Sequence, residues 1–137
     1  MDDCIFCKII SREVPSVPLF EDVNTYAFLN NAPDSTGHAL VIPKKHMRNF
    51  FDADPEALRA TMETSRRIAP AIREGVGAEG MRIIINNEPA GGQKVFHLHV
   101  HLIPFFDADP VTFEPRSEVS LEERERVAER IKRALSL

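Results

Sequence analysis

The 137-residue chain has few of the features that mark several large classes of protein. No apolar run approaches the ~20 residues that a membrane-spanning helix needs, so no membrane partner is expected. Positive charge is in the minority: 17 Lys and Arg against 21 Asp and Glu give a formal net charge of −4. General nucleic-acid binding relies on a basic surface, so no nucleic-acid partner is expected either. The opening Met1-Asp2-Asp3-Cys4 is acidic and lacks a secretory pattern, which leads to the expectation of a cytoplasmic protein. The two cysteines, Cys4 and Cys7, lie three positions apart, and in a reducing compartment no structural disulfide is expected between them. No internal repeat or low-complexity segment interrupts the chain. Its length suits a single domain over 1–137 with a sizeable core.

Histidine is what the chain does have, in one place. Three of its five histidines fall in Val95-Phe96-His97-Leu98-His99-Val100-His101-Leu102-Ile103-Pro104. Alternation at period two predicts a β-strand, with His97, His99 and His101 on one face and Phe96, Leu98, Val100 and Leu102 on the other. The apolar face can anchor the strand in a core. The opposite face then carries a row of imidazoles about 7 Å apart. Each buried ring nitrogen needs a partner, so three on one face are a costly way to build an ordinary strand. Such a row can ligate a metal. It can also do phosphate chemistry, with one neutral imidazole as nucleophile and a neighbour handling the proton.

Upstream, Cys4-Ile5-Phe6-Cys7 is half of a tetrahedral zinc site. Its missing ligands would be histidines, with His46 and one of the triplet as candidates. A redox dithiol is the competing reading, but too few residues precede Cys4 to form the strand it expects. Ile5, Phe6, Ile9 and Ile10 have rough helical spacing. Leu19–Asp22 and Thr25–Leu29 read as a hairpin, and His38–Pro43 as a third strand. Lys44 and Lys45 read as a solvated corner. Asp54-Pro55-Glu56 is a helix start, with Pro70 predicting a kink or break and Gly75, Gly77 and Gly80 the end. Met81–Asn86, nearly all apolar, predicts a central strand buried on both faces. Gly91-Gly92 lies in the loop that leads to the histidines. Beyond Pro104 no periodicity is visible until Ser120-Leu121-Glu122-Glu123. That is a capping-box pattern opening a helix with Leu121, Val127, Ile131 and Leu135 on one face.

Taken together, His97-Leu98-His99-Val100-His101-Leu102-Ile103, Gly37–Lys44, and Asn86-Asn87 with Gly91-Gly92-Gln93 resemble the three blocks of the histidine-triad family, closest to its Hint-like branch of nucleotide hydrolases and transferases. The resemblance spans about residues 4–104. It implies an α+β fold: an antiparallel sheet of about five strands, one long helix and one C-terminal helix. It also implies a homodimer and attack on the α-phosphate of a nucleotide, such as a purine nucleoside phosphoramidate. By position His99 is the nucleophile, forming a covalent nucleotidyl-histidine. His101 handles the phosphate side and the proton, His38 orients the triad, and His97 completes it. Asn86, Gln93, Gly92 and Val95 would hold the phosphate, and Asn30 the ribose. Ile5, Phe6, Ile9, Phe28 and Asn31 would line the base pocket. Some branches carry a four-ligand zinc site, here matched by Cys4, Cys7, His46 and His97. A complete Cys₂His₂ set is a structural arrangement.

Two departures bear on substrate. Asn30 stands where many Hint-like members have aspartate, and it resembles the choice of the branch that cleaves dinucleoside polyphosphates. Lys94 stands where serine or threonine is common. Dinucleoside polyphosphate hydrolysis is therefore the alternative reaction. A non-catalytic nucleotide-binding protein and a metal-dependent hydrolase using all three histidines are the other classes considered.

Overall fold

The computed structural model describes residues 3–107 and 119–136. A short helix α1 (Ile5–Ile10) precedes the hairpin β1 (Pro18–Glu21) and β2 (Thr25–Leu29). Asp22 closes that hairpin, its carboxylate accepting from the backbone N–H groups of Asn24 (2.9 Å) and Thr25 (2.8 Å). Then come β3 (Ala39–Pro43), the long helix α2 (Pro55–Val76), β4 (Gly80–Ile84), β5 (Val100–Phe105) and α3 (Leu121–Leu135). Helix α2 starts where its sequence signals put it: Asp54 caps it by accepting from the Ala57 N–H at 3.0 Å, and Pro55 opens it. It ends at Gly77, whose φ of +71° favours a residue without a Cβ. The Ser120 hydroxyl caps α3, accepting from the Glu123 N–H at 3.1 Å. No helix among the described residues is long and apolar enough to cross a membrane.

The five strands form one antiparallel sheet in the order β1-β2-β3-β5-β4. Alternation divides the side chains between two cores. Ala27, Leu29, Val41, Val100 and Leu102 meet Ile68 and Ile72 of α2 and Val127 and Ile131 of α3 on one face. On the other face Tyr26, Phe28, Leu40 and Ile42 meet Phe6 and Ile9 of α1. The central strands β2 and β3 are buried along their whole length, which fixes the register on both sides.

Several expectations are corrected. The histidine strand begins only at Val100; residues 95–97 bend and 98–99 are irregular, so only His101 lies in the strand itself. Phe96 does not join Leu98 in the core but sits at the surface beneath the Arg48 guanidinium, 4.3 Å from its ring centroid. Strand β4 is an edge, not the centre, and its Ile83 is 53% exposed. An apolar run reports low polarity, not the number of neighbouring strands. Pro70 does not break α2: it and Arg66 are both exposed, so the carbonyl that loses its partner lies on the solvent side. Gly75 lies within α2 rather than ending it. A Cβ there would come 2.9 Å from the Ile131 Cα, so its absence is what lets α3 approach. Leu121 is exposed at the start of α3, while Val127 and Ile131 are buried. Lys44 is ion-paired to Glu21 at 2.8 Å, and Lys45 lies 3.7 Å from Asp54. The part of the unpatterned segment over 108–118 lies outside the described residues.

Candidate active site

The bend before β5 is pinned by the Leu98 N–H, which donates to the Met47 carbonyl at 2.8 Å. This turns the three imidazoles toward different partners. His97 is fully buried, and one ring nitrogen, Nε2, lies 2.8 Å from the Pro43 carbonyl. A carbonyl only accepts, so Nε2 carries the proton and Nδ1 keeps a lone pair. His99 is fixed the opposite way: its Nδ1 lies 2.7 Å from the His97 carbonyl, so the proton is on Nδ1 and the lone pair on Nε2. The His99 ring stands edge-on to Phe6 at 5.1 Å and to His101 at 4.8 Å and is only 6% exposed.

His38 and His101 form a directed chain. The Asp34 N–H donates to His38 Nδ1 at 3.0 Å, which places the His38 proton on Nε2. That Nε2 lies 3.0 Å from His101 Nδ1 and donates to it. His101 must then carry its own proton on Nε2, a buried atom without a hydrogen-bond partner among the described residues. A buried donor left open in this way is costly and suits an acceptor that arrives with a ligand. The loop carrying Asp34 is itself held to β5, because the Ser35 hydroxyl donates to the Pro104 carbonyl.

Burial disfavours the charged form of all these rings. It pushes His38 down to about 4, with the nearby His99 adding to the effect. It pushes His97 to about 4 and His101 to about 3, and holds His99 below the ordinary histidine value against its hydrogen bond to the His97 carbonyl. At neutral pH the site is a group of uncharged imidazoles with fixed tautomers. His99 Nε2 offers a lone pair, and His101 Nε2 offers a hydrogen.

A second cluster lies on the far side of His97. Its Nδ1 is 3.4 Å from Cys4 Sγ, 3.6 Å from Cys7 Sγ and 3.2 Å from His46 Nδ1, and Cys7 Sγ is 3.4 Å from His46 Nδ1. All four ligand atoms lie within 4.8 Å of one another. In a zinc tetrahedron with Zn–N of ~2.0–2.1 Å and Zn–S of ~2.3 Å, the ligands are about 3.3–3.8 Å apart. The donor set and spacing therefore fit a tetrahedral ion. Burial, followed by the hydrogen bond and charge of Cys4, pushes the Cys7 thiol up to about 11. A divalent cation between the two sulfurs would reverse that, since a coordinated thiol is deprotonated outright.

The loop after β4 leaves the sheet beside the site, for Ile84 pairs with His101. Asn86 lies next to Gly92, where a Cβ would be 3.9 Å from its amide group and φ is +90°. The N–H groups of Gly91, Gly92 and Gln93 close a turn on the carbonyls of Glu88 and Pro89. Gln93 is buried with its amide fully engaged. Nε2 donates to the carbonyls of Arg48 (2.7 Å) and Val95 (3.0 Å), and Oε1 accepts from the Glu88 N–H (2.8 Å) and from Asn49 (3.1 Å). Phe6, Ile9 and Phe28 share one buried cluster against which Val95 leans, whereas Ile5 and Asn31 are exposed. Asn30 accepts from the Ala32 N–H at 3.0 Å. Arg48, Asn49, Glu88 and the Asp34 amide have no counterpart among the residues singled out in the sequence. The first three lie in no periodic pattern, and the fourth acts through its backbone.

Comparison with known proteins gives a consistent result. The HIT domain family matches residues 11–108. The adenylylsulfatase HINT3 of Arabidopsis thaliana is 37% identical over 108 residues, which are 79% of this chain and 55% of that protein; the chain thus spans about half the length of that relative. A hypothetical histidine triad nucleotide-binding protein from Sulfolobus tokodaii superposes with a TM-score of 0.90 at 36% identity, covering 97% of this chain and 92% of the other. A Zn-bound histidine triad family protein from Mycobacterium smegmatis does so with a TM-score of 0.89 at 36% identity, covering 98% and 94%.

Proposed function

The chain belongs to the HIT domain family, and from that premise we propose that it is a Hint-like nucleotide hydrolase or transferase acting at the α-phosphate of purine nucleoside phosphoramidates. The observation that carries this reading is the pair of fixed tautomers at His99 and His101. His99 Nε2 attacks the α-phosphorus, a P–Nε2 bond forms, and the bond to the leaving amine breaks as that amine takes up a proton from solvent, which the water of the second step gives back. His101 Nε2–H donates to the phosphate side, where charge develops. Water then attacks the phosphorus, breaks the P–Nε2 bond and returns His99 to its starting state. His38 holds His101 in the donating tautomer, and His97 holds His99 through its carbonyl. Asn86, Gly92, Gln93 and Val95 shape the phosphate side. Asn30 meets the ribose, and Phe6, Phe28, Ile5, Ile9 and Asn31 border the base.

Zinc is the structural ion of this reading, held by Cys4, Cys7, His46 and His97. The Zn-bound relative and the ligand spacing support it. The working unit is a single domain over 1–137 in a cytoplasmic homodimer, for which the open β4 edge offers a surface. Its partner is a small nucleotide. Dinucleoside polyphosphate cleavage is favoured instead if the neutral Asn30 and the exposed Lys94 select a more anionic leaving group.

The test offers adenosine phosphoramidate, adenylyl sulfate and a diadenosine polyphosphate side by side to the unmutated protein and to His99→Ala. The highest kcat/KM is expected for the phosphoramidate, with acid-labile nucleotide trapped on the protein. The His99→Ala protein should lose at least about a thousandfold in kcat. Turnover that persists in the mutant would rule out the nucleophile. Preference for the polyphosphate would select the alternative substrate.

A further inference from the structure

Glu88, in the loop that leads to the histidines, is engaged through its N–H, its carbonyl and its carboxylate, and nothing in the proposed chemistry uses it. Its φ is +66°, a conformation that L side chains rarely adopt. Its N–H donates to Gln93 Oε1, and its carbonyl accepts from the N–H groups of Gly91 (2.9 Å) and Gln93 (3.1 Å). Its carboxylate takes a two-pronged contact from Arg48, Nε to Oε2 at 2.8 Å and Nη2 to Oε1 at 3.0 Å, and a third bond from Asn49 Nδ2 at 2.6 Å. Asn49 is buried, and the Arg48 guanidinium carbon lies over the Phe96 ring, 4.3 Å from its centroid. A non-glycine residue persists at such a φ only where its surroundings over-determine it, and such positions cluster at functional sites.

The same contacts join two parts of the site that are distant in sequence. Arg48 and Asn49 follow His46 of the metal cluster by two and three residues. Glu88 heads the turn whose Gln93 amide fixes the Val95 carbonyl, just before His97 and His99. The Phe50 N–H adds a bond to Asn87 Oδ1 at 2.8 Å. We propose that Arg48 and Glu88 are positioning residues whose forked ion pair, seated on Asn49, sets the path of the 88–96 segment past the phosphate and into the catalytic histidines. Neither side chain touches the reacting atoms in this scheme; they act through the turn. The inference rests on the functional reading above, which supplies the substrate that the turn must meet.

The fork is half-exposed, so its net contribution to stability is small, and its effect belongs to geometry. Glycine takes a positive φ freely, so Glu88→Gly removes the clamp without leaving a backbone that cannot fold. We compare the unmutated chain over 1–137, Glu88→Gly, Arg48→Ala and the double variant. Two readouts are used: kcat and KM on adenosine phosphoramidate, and amide hydrogen exchange at Gly91, Gly92 and Gln93. Each single variant should lower kcat at least about tenfold with KM changed less than about threefold, because small misplacements act on the transition state. The double variant should lose no more than the worse single one, as members of one unit do. Exchange at the three amides should quicken in every variant, while exchange in β2 and β3 stays as it was. Unchanged exchange in the turn, or quickened exchange with kcat intact, overturns the proposal. So does a loss of activity that only follows a lowered Tm. Failure of the functional reading is seen separately, as no turnover by the unmutated protein on any nucleotide offered. The clamp is then decided by exchange alone.

Discussion

His38 and His101 are bound to each other and kept neutral by burial, their values held at about 4 and about 3. In the unfolded chain both return to about 6.5. Between those values the unfolded state binds more protons than the folded one, so folding stability rises with pH across that window. The stability is complete above about pH 6.5 and is lost as pH falls toward 4, at up to ~1.4 kcal/mol per pH unit for each ring. Urea midpoints taken between pH 7.5 and 4.5 should show this slope, and His38→Asn should make it shallower. Equal slopes in the two proteins would remove His38 from the account. The sequence shows the histidines but not this behaviour. The tautomers depend on the Asp34 amide and the carbonyls of Pro43 and His97, and backbone partners leave no trace in residue type.

Among elements, α1 depends most on its surroundings. Six residues are too few for a helix to persist alone in water. It is held by Phe6 and Ile9, which are buried on the sheet, and by the two cysteines at its start. If zinc joins those cysteines to His46 and His97, the metal fastens α1 to the bend before β5 and keeps Phe6 against His99. Protein purified without chelator is then expected to hold about one zinc per chain, by elemental analysis. Chelation or Cys4→Ala should lower Tm by at least about 5 °C, more than 1 kcal/mol at this size. Substoichiometric metal together with an unchanged Tm in Cys4→Ala would dismiss the ion. The elements themselves were largely legible: the Asp54-Pro55 start of α2, the hairpin and the Ser120 cap are local chemistry. The edge position of β4, the tolerated Pro70 and the close approach at Gly75 were not, because each depends on what lies beside the element rather than within it. The late start of β5 has the same cause: Met47 draws Leu98 out of line.

For the whole molecule, the sheet ends on one side at β4 with an apolar residue open to water. Such an edge invites pairing with another chain. Sedimentation at tens of micromolar should show a dimer, and Ile83→Lys, which places a charge on that edge, should shift it toward monomer. A monomeric unmutated protein would retire the dimer. Just ahead of β5, an inner strand of that sheet, lies His97, whose ring faces the sulfur cluster while its carbonyl sets the neighbouring imidazole two residues on. One residue therefore couples the cysteine cluster to the ring of His99. If His99 is the nucleophile proposed above, a descendant that gave up its cysteines would need some new restraint on that one peptide group, or that ring would drift between proton states and hand its reactivity to whichever nitrogen happened to be bare.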